Sequence, residues 1–226
     1  MTGGTMQKGI VRGGGAMGPR GWLFELNGGC LCLDFANTVD KRSEEDRRDH
    51  LASYADLVSW GEQARALTAA DGKRLRQLAT RRPGEGRAAL RRARQVREAI
   101  FMILHAVADG RKPPREELET LNAALPSALG RQRLVPARDR MEWGFVDEPE
   151  NLDRVLFPVV RSAAEILTGD DLDRVRVCCS DCCAWLFLDS SRNRTRRWCD
   201  MTVCGNRAKA RRHHARQKRR PWNGTG

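Results

Sequence analysis

Six of the chain's eight cysteines fall between Cys178 and Cys204, arranged as CCSDCC, a gap, and CDMTVC. Thiols this close have three chemistries open to them: metal ligation, disulfide formation and redox exchange. The second pair is unambiguous, Cys199 with Cys204. The first is open, because Cys178 with Cys183 gives C-x4-C and Cys179 with Cys182 gives C-x2-C. Symmetry with the second pair favours Cys178 and Cys183. Two pairs of thiolates suit one structural zinc ion, which takes four ligands in a tetrahedron. In a module too small to fold by apolar burial, metal binding is largely folding free energy, on the order of 10 kcal/mol or more. A redox role for Cys179-Ser180-Asp181-Cys182 would need a thioredoxin-like βαβ context, and the flanking sequence has none. His213 and His214 follow in an arginine-rich stretch and read as members of a polar face rather than as ligands.

The cations cluster beside the cysteines. Arg192 to Arg220 holds twelve Lys and Arg against one acid, Asp200, so nearly all of the net charge of +12 resides there and the rest of the chain is close to neutral. Charge alone therefore places a boundary near residue 170. A basic patch of this density is the electrostatic footprint of a polyanion partner. Without one, a helix over 207–220 would be solvated, self-repelling and marginal.

The elements that must position these residues follow from periodicity. Residues 174–178 and 185–189 read as two short strands around the first cysteine cluster, and 190–197 (SSRNRTRR) as a polar turn. Gly205 and Asn206 suit a turn and helix cap ahead of the basic helix. Trp185, Phe187 and Trp198 supply a miniature core. Upstream, Leu31, Leu33 and Phe35 alternate with Cys32 and Asp34, which predicts a strand whose shared face carries Cys30 and Cys32 as inert, buried thiols. Asp34, Asn37 and Thr38 at its end are candidates for a small-molecule pocket, with capping or turn closure as the alternative. Helices are predicted over 46–66, after Thr68 with Asp71 as its capping-box partner, over 86–109 with a stripe from Ala89 to Val107, and after Pro113-Pro114. Residues 131–146 read as a hairpin. Residues 149–168 return to helix, with Pro158 either kinking it or pushing its start later.

The run from Cys178 to Arg212 resembles the CGNR zinc finger, named for the tetrapeptide Cys204-Gly205-Asn206-Arg207. That pattern places Trp185, Phe187, Asp189, Asn193, Trp198 and Cys199 where this sequence has them. The resemblance implies Cys178, Cys183, Cys199 and Cys204 as zinc ligands, and it leaves Cys179 and Cys182 as surplus thiols. Residues Gly28 to Thr38 (GGCLCLDFANT) resemble the start of the ABATE domain. That domain precedes this finger in bacterial proteins regarded as stress-induced transcription regulators. Together the two resemblances cover about 20–215.

The expected fold class is α+β, mainly α: a helical body with a small antiparallel sheet, then a treble-type β-hairpin/helix zinc module. The expected divisions are a disordered leader at 1–20, an ABATE-like domain at 21–169, the finger with its basic helix at 174–217, and a tail at 218–226. DNA is the expected partner. Arg207, Lys209, Arg211, Arg212 and Arg216 on the helix would contact it, helped by Arg192, Arg194 and Arg196 on the turn. The body would take a small-molecule effector. Rival readings are a protein-interaction module and a thiol- or metal-responsive switch. No nucleophile elbow, phosphate loop, HExxH or nucleotide fingerprint is present, and a closed tetrathiolate leaves no position for water, so no enzyme is expected. The leader lacks a signal-peptide apolar core and no apolar run spans a bilayer, which predicts a cytoplasmic protein.

Overall fold

The computed structural model describes residues 15–18, 21–42, 47–146, 150–180 and 183–218, with backbone alone at 21, 215, 216 and 218. Most of the expected leader and tail, and Cys182, lie outside these residues. Residues 15–18 were expected in the leader, yet they form strand β1 (Gly15–Gly18), paired antiparallel with β2 (Gly21–Phe24).

Helix α1 (Leu31–Ala36) replaces the strand expected at 31–35. Cys32, Leu33, Phe35 and Ala36 are all buried, so this short helix is enclosed on nearly every side. A run of this length that is apolar all round carries no period that separates helix from strand. The two-residue strands β3 (Val39–Asp40) and β4 (Arg48–Asp49) then pair. Helix α2 (Tyr54–Gln63) begins later than expected, because a Ser53/Asp56 capping box sets its start. Helix α3 (Ala69–Arg81) has the expected Thr68/Asp71 box. Helix α4 (Pro83–Ala108) is the central element. It buries Ala89, Ala93, Val96, Ile100, Ile103 and Leu104 and stops at Gly110, whose φ is +69°. Helix α5 (Arg115–Leu129) follows Pro114. The expected hairpin forms from β5 (Gln132–Pro136) and β6 (Met141–Phe145), turning over 137–140. Helix α6 (Leu156–Thr168) has Pro158 in its first turn, where the missing N–H loses no intrahelical bond.

Beyond α6, β7 (Val175–Val177) pairs with β8 (Leu186–Leu188). A π-type turn at Met201–Gly205 leads into α7 (Asn206–Lys218). The expected class holds, mainly helical, but among the described residues the strands form four separate two-stranded pairs rather than one sheet. One core gathers α1, α2, α4, α5 and α6. Val175 and Leu186 belong to it, so the last hairpin completes the body rather than hanging from it. Arg97 of α4 is almost wholly buried and donates to both carboxylate oxygens of Asp49, at 2.7 and 2.8 Å, and to Thr38 Oγ1. Between α4, α5 and α6 lies a cavity of about 730 Å³, floored by Val96, Leu156, Phe157 and Val160. Among the described residues no helix is long and apolar enough to cross a membrane.

Candidate metal centre

A second apolar cluster, separate from the main core, contains Cys178, Trp185, Phe187, Cys199 and Cys204, with Cys183 and Trp198 packed against it. The Sγ atoms of Cys178, Cys183, Cys199 and Cys204 all lie within 4.8 Å of one another. Two of the separations are 3.6 Å (Cys183–Cys199) and 3.7 Å (Cys199–Cys204). These are too long for a disulfide, whose S–S bond is about 2.05 Å. They match the edge of a tetrahedron built on Zn–S bonds of about 2.3 Å, which is roughly 3.8 Å. The electrostatics agree. Hydrogen bonds from Cys183, Cys199 and Cys204 drive the Cys178 thiol far down. The contact with Cys178 in turn drives Cys183 and Cys199 far up. Four sulfurs this close do not all ionise unless a cation joins them, and a divalent ion supplies that charge. The donor set therefore fits the single structural zinc that the sequence implies.

Local structure presents each ligand. Cys178 follows β7, and its N–H donates to the Trp185 carbonyl (2.8 Å), which closes a knuckle around Cys183. Ala184 takes a left-handed φ of +54° to turn the chain back into β8. The loop from β8 to Cys199 is organised by the buried Asp189 carboxylate. It accepts from the Ser191 hydroxyl, the Ser191 N–H (2.9 Å) and the Arg196 N–H (3.0 Å). Burial pushes this carboxyl up, and these donors more than offset it, leaving it below the usual value. Arg196 lies over the Phe187 ring at 4.6 Å and donates to the Trp198 and Cys199 carbonyls. Asp200 caps the π-type turn through the Thr202 and Val203 N–H groups, and its carbonyl accepts from Cys204.

Contacts that the sequence did not indicate seat this module on the body. The Asn37 carboxamide makes two bonds to Leu186, donating to its carbonyl (2.8 Å) and accepting from its N–H (3.0 Å). Trp185 Nε1 donates to the Val39 carbonyl (3.0 Å). The Gly28 carbonyl accepts from the Leu188 N–H (2.7 Å). A buried indole usually finds an acceptor, so Trp185 carried some signal, but nothing in the sequence gave its partner.

The residues expected to line a ligand pocket are engaged inside the fold. Asn37 and Thr38 are buried, Thr38 Oγ1 donates to the Phe35 carbonyl, and Asp34 accepts from the Gly28 N–H (2.8 Å). None of the three lines the cavity between α4, α5 and α6.

The basic residues divide into two groups. Arg194 is ion-paired with Asp173, and Arg196 holds the loop as described. Arg207 is half-buried. Arg192 on the turn and Lys209, Arg211 and Arg212 on α7 are exposed. The Arg216 side chain lies outside the described residues, and Cys179 is exposed.

A tetrathiolate cluster held between a short hairpin and a following helix defines a zinc-finger protein. The family model ABATE, described as "Putative stress-induced transcription regulator", matches residues 29–170, and the chain belongs to that family. The model for the CGNR zinc finger matches residues 174–217 and contains all four cysteines. No curated protein matches the chain.

Proposed function

We propose that this regulatory zinc-binding protein is a transcriptional regulator that binds DNA through α7 and the turn before Cys199. One observation carries the reading. Helix α7 has no apolar face to bury, it is anchored through Cys204 to the metal centre, and it exposes Lys209, Arg211 and Arg212. A helix polar all round gains little from folding onto its own protein. Phosphates would relieve its self-repulsion and release counterions. Arg192 adds to this surface, and Arg216 extends it along the helix. Arg194 and Arg196 contribute charge while holding the finger's shape, and Arg207 sits at the junction. The proposed site of action is the cytoplasm, where bacterial DNA is accessible, and no catalytic role is proposed. A small-molecule effector would find room in the cavity between α4, α5 and α6.

The experiment is selection of bound sequences from random DNA, followed by affinity measurements at several salt concentrations. If six cations meet phosphates, log K falls against log salt with a slope of roughly −5. Reversing Lys209, Arg211 and Arg212 to Glu should abolish binding with zinc content unchanged. Unchanged affinity would remove α7 from the reading. The burial of Val175 and Leu186 in the body core favours a second reading, a finger that only completes the body. Zinc-dependent folding without DNA affinity would establish it.

A further inference from the structure

Cys30 and Cys32 were expected to be inert. The structure instead brings their sulfurs to 3.6 Å, Cys32 wholly buried and Cys30 half-buried at the surface side of the pair. Cys30 belongs to the segment that seats the finger. Two residues before it, the Gly28 carbonyl holds the Leu188 N–H. Gly29, with φ +90°, packs so closely on Leu188 that a Cβ would stand 3.1 Å from that residue's own Cβ. Asn27 donates to the Asp200 carboxylate (3.3 Å), at the turn that presents Cys204.

We propose that Cys30 and Cys32 are a hydroperoxide-reactive thiol pair whose disulfide loosens the seat of the finger. The more exposed Cys30 is the attacking sulfur. Its thiol is lowered by the hydrogen bond from Cys32, against burial and the nearby Asp34. The same contact, with burial, pushes the Cys32 thiol well up and keeps it protonated. The Cys30 thiolate attacks one peroxide oxygen, so that an S–O bond forms, the O–O bond breaks, and the leaving oxygen departs with a proton as water. Cys32 sulfur then attacks Cys30 sulfur. The S–S bond forms, the S–O bond breaks, and the leaving hydroxide takes the Cys32 proton as a second water. Two thiols are oxidised by two electrons and one peroxide is reduced; a dithiol reductant reverses the change. Closing the bond draws the sulfurs together by about 1.5 Å. Cys30 is directly bonded to Gly29, so that movement is felt at Leu188. This inference does not depend on DNA binding.

Trypsin cuts after Arg20 and Lys41, and peptide 21–41 contains these two cysteines and no other. Full-length, zinc-loaded protein is exposed to one equivalent of hydrogen peroxide, alkylated and digested without reductant. The expected result is a peptide that has lost two hydrogens and escapes alkylation. Zinc stays bound, and amide hydrogen exchange at 186–188 rises severalfold, restored by dithiothreitol. In Cys32→Ser, dimedone should label Cys30 and exchange at 186–188 should stay at the reduced level. In Cys30→Ser, the buried Cys32 should remain reduced. A peptide 21–41 that stays fully alkylatable while the zinc ligands oxidise first would overturn the pair. A disulfide that forms without a change in exchange at 186–188 would overturn the coupling.

Discussion

Asp34 is the residue whose charge is least at ease. Burial pushes its carboxyl up to about 6, and the Gly28 N–H offsets only part of this. A carboxyl whose folded value exceeds its unfolded one takes up its proton more readily when folded. Its contribution to stability is therefore complete below about pH 4 and is lost as pH rises through about 6. Asp34→Asn removes the charge and keeps an acceptor for Gly28. It should raise stability at pH 7.5 by on the order of 1–2 kcal/mol and flatten the dependence between about pH 4 and 6. Urea titrations at pH 4, 6 and 7.5 check this, and a variant weaker than the parent at pH 7.5 would mean that the carboxylate is needed charged. Arg97 is the opposite case. Burial raises the Asp49 carboxyl, but its pairing with Arg97 more than offsets this and holds it low. Asp49 is exposed and keeps Arg94 at 3.3 Å, so Arg97→Met strands no charge; the lost hydrogen bonds should cost about 1–3 kcal/mol, visible as a lowered thermal midpoint.

Among the elements, β8 is held to the body by both bonds of a single distant side chain, Asn37. Asn37→Ala leaves the Leu186 N–H and carbonyl without their partner. At about 1–3 kcal/mol for each buried group left unmade, the hairpin should loosen by roughly 2–4 kcal/mol. Limited proteolysis should then cut within 189–198 sooner, and an unchanged cleavage rate would show the contact to be dispensable. Which elements the sequence made legible follows from distance along the chain. The Thr68/Asp71 capping box, the stripe on α4, the 131–146 hairpin and the two cysteine pairs all rest on residues a few positions apart. Helix α1 was misread because burial on all sides erases its period. The partners of Asn37 and Trp185 lie 149 and 146 residues away, where no local pattern reaches. The basic cluster was visible as charge. That Arg194 would pair with Asp173 and Arg196 with loop carbonyls was not, because only the folded turn brings them there.

For the whole molecule, the last hairpin shares the body's core, so loss of the metal is expected to weaken the body as well. The expected boundary near 170 marks a change of charge but not of packing, since Val175 and Leu186 lie among residues of α1, α4 and α6. Removing zinc with a chelator, or replacing Cys199 with Ser, should lower the midpoint of one calorimetric transition that includes the helices. Two separate transitions, with the helical one unmoved, would show that the two parts fold alone. The grip of Asn37 on Leu186 also bears on biosynthesis. The two residues are 149 positions apart, so at about 5–20 residues per second the first helix leaves the ribosome roughly 7–30 seconds before its partner strand exists. Over that interval a greasy surface stands open on the nascent chain, which makes the unfinished polypeptide a natural client for chaperones. A truncated messenger ending before the finger should yield protein that aggregates.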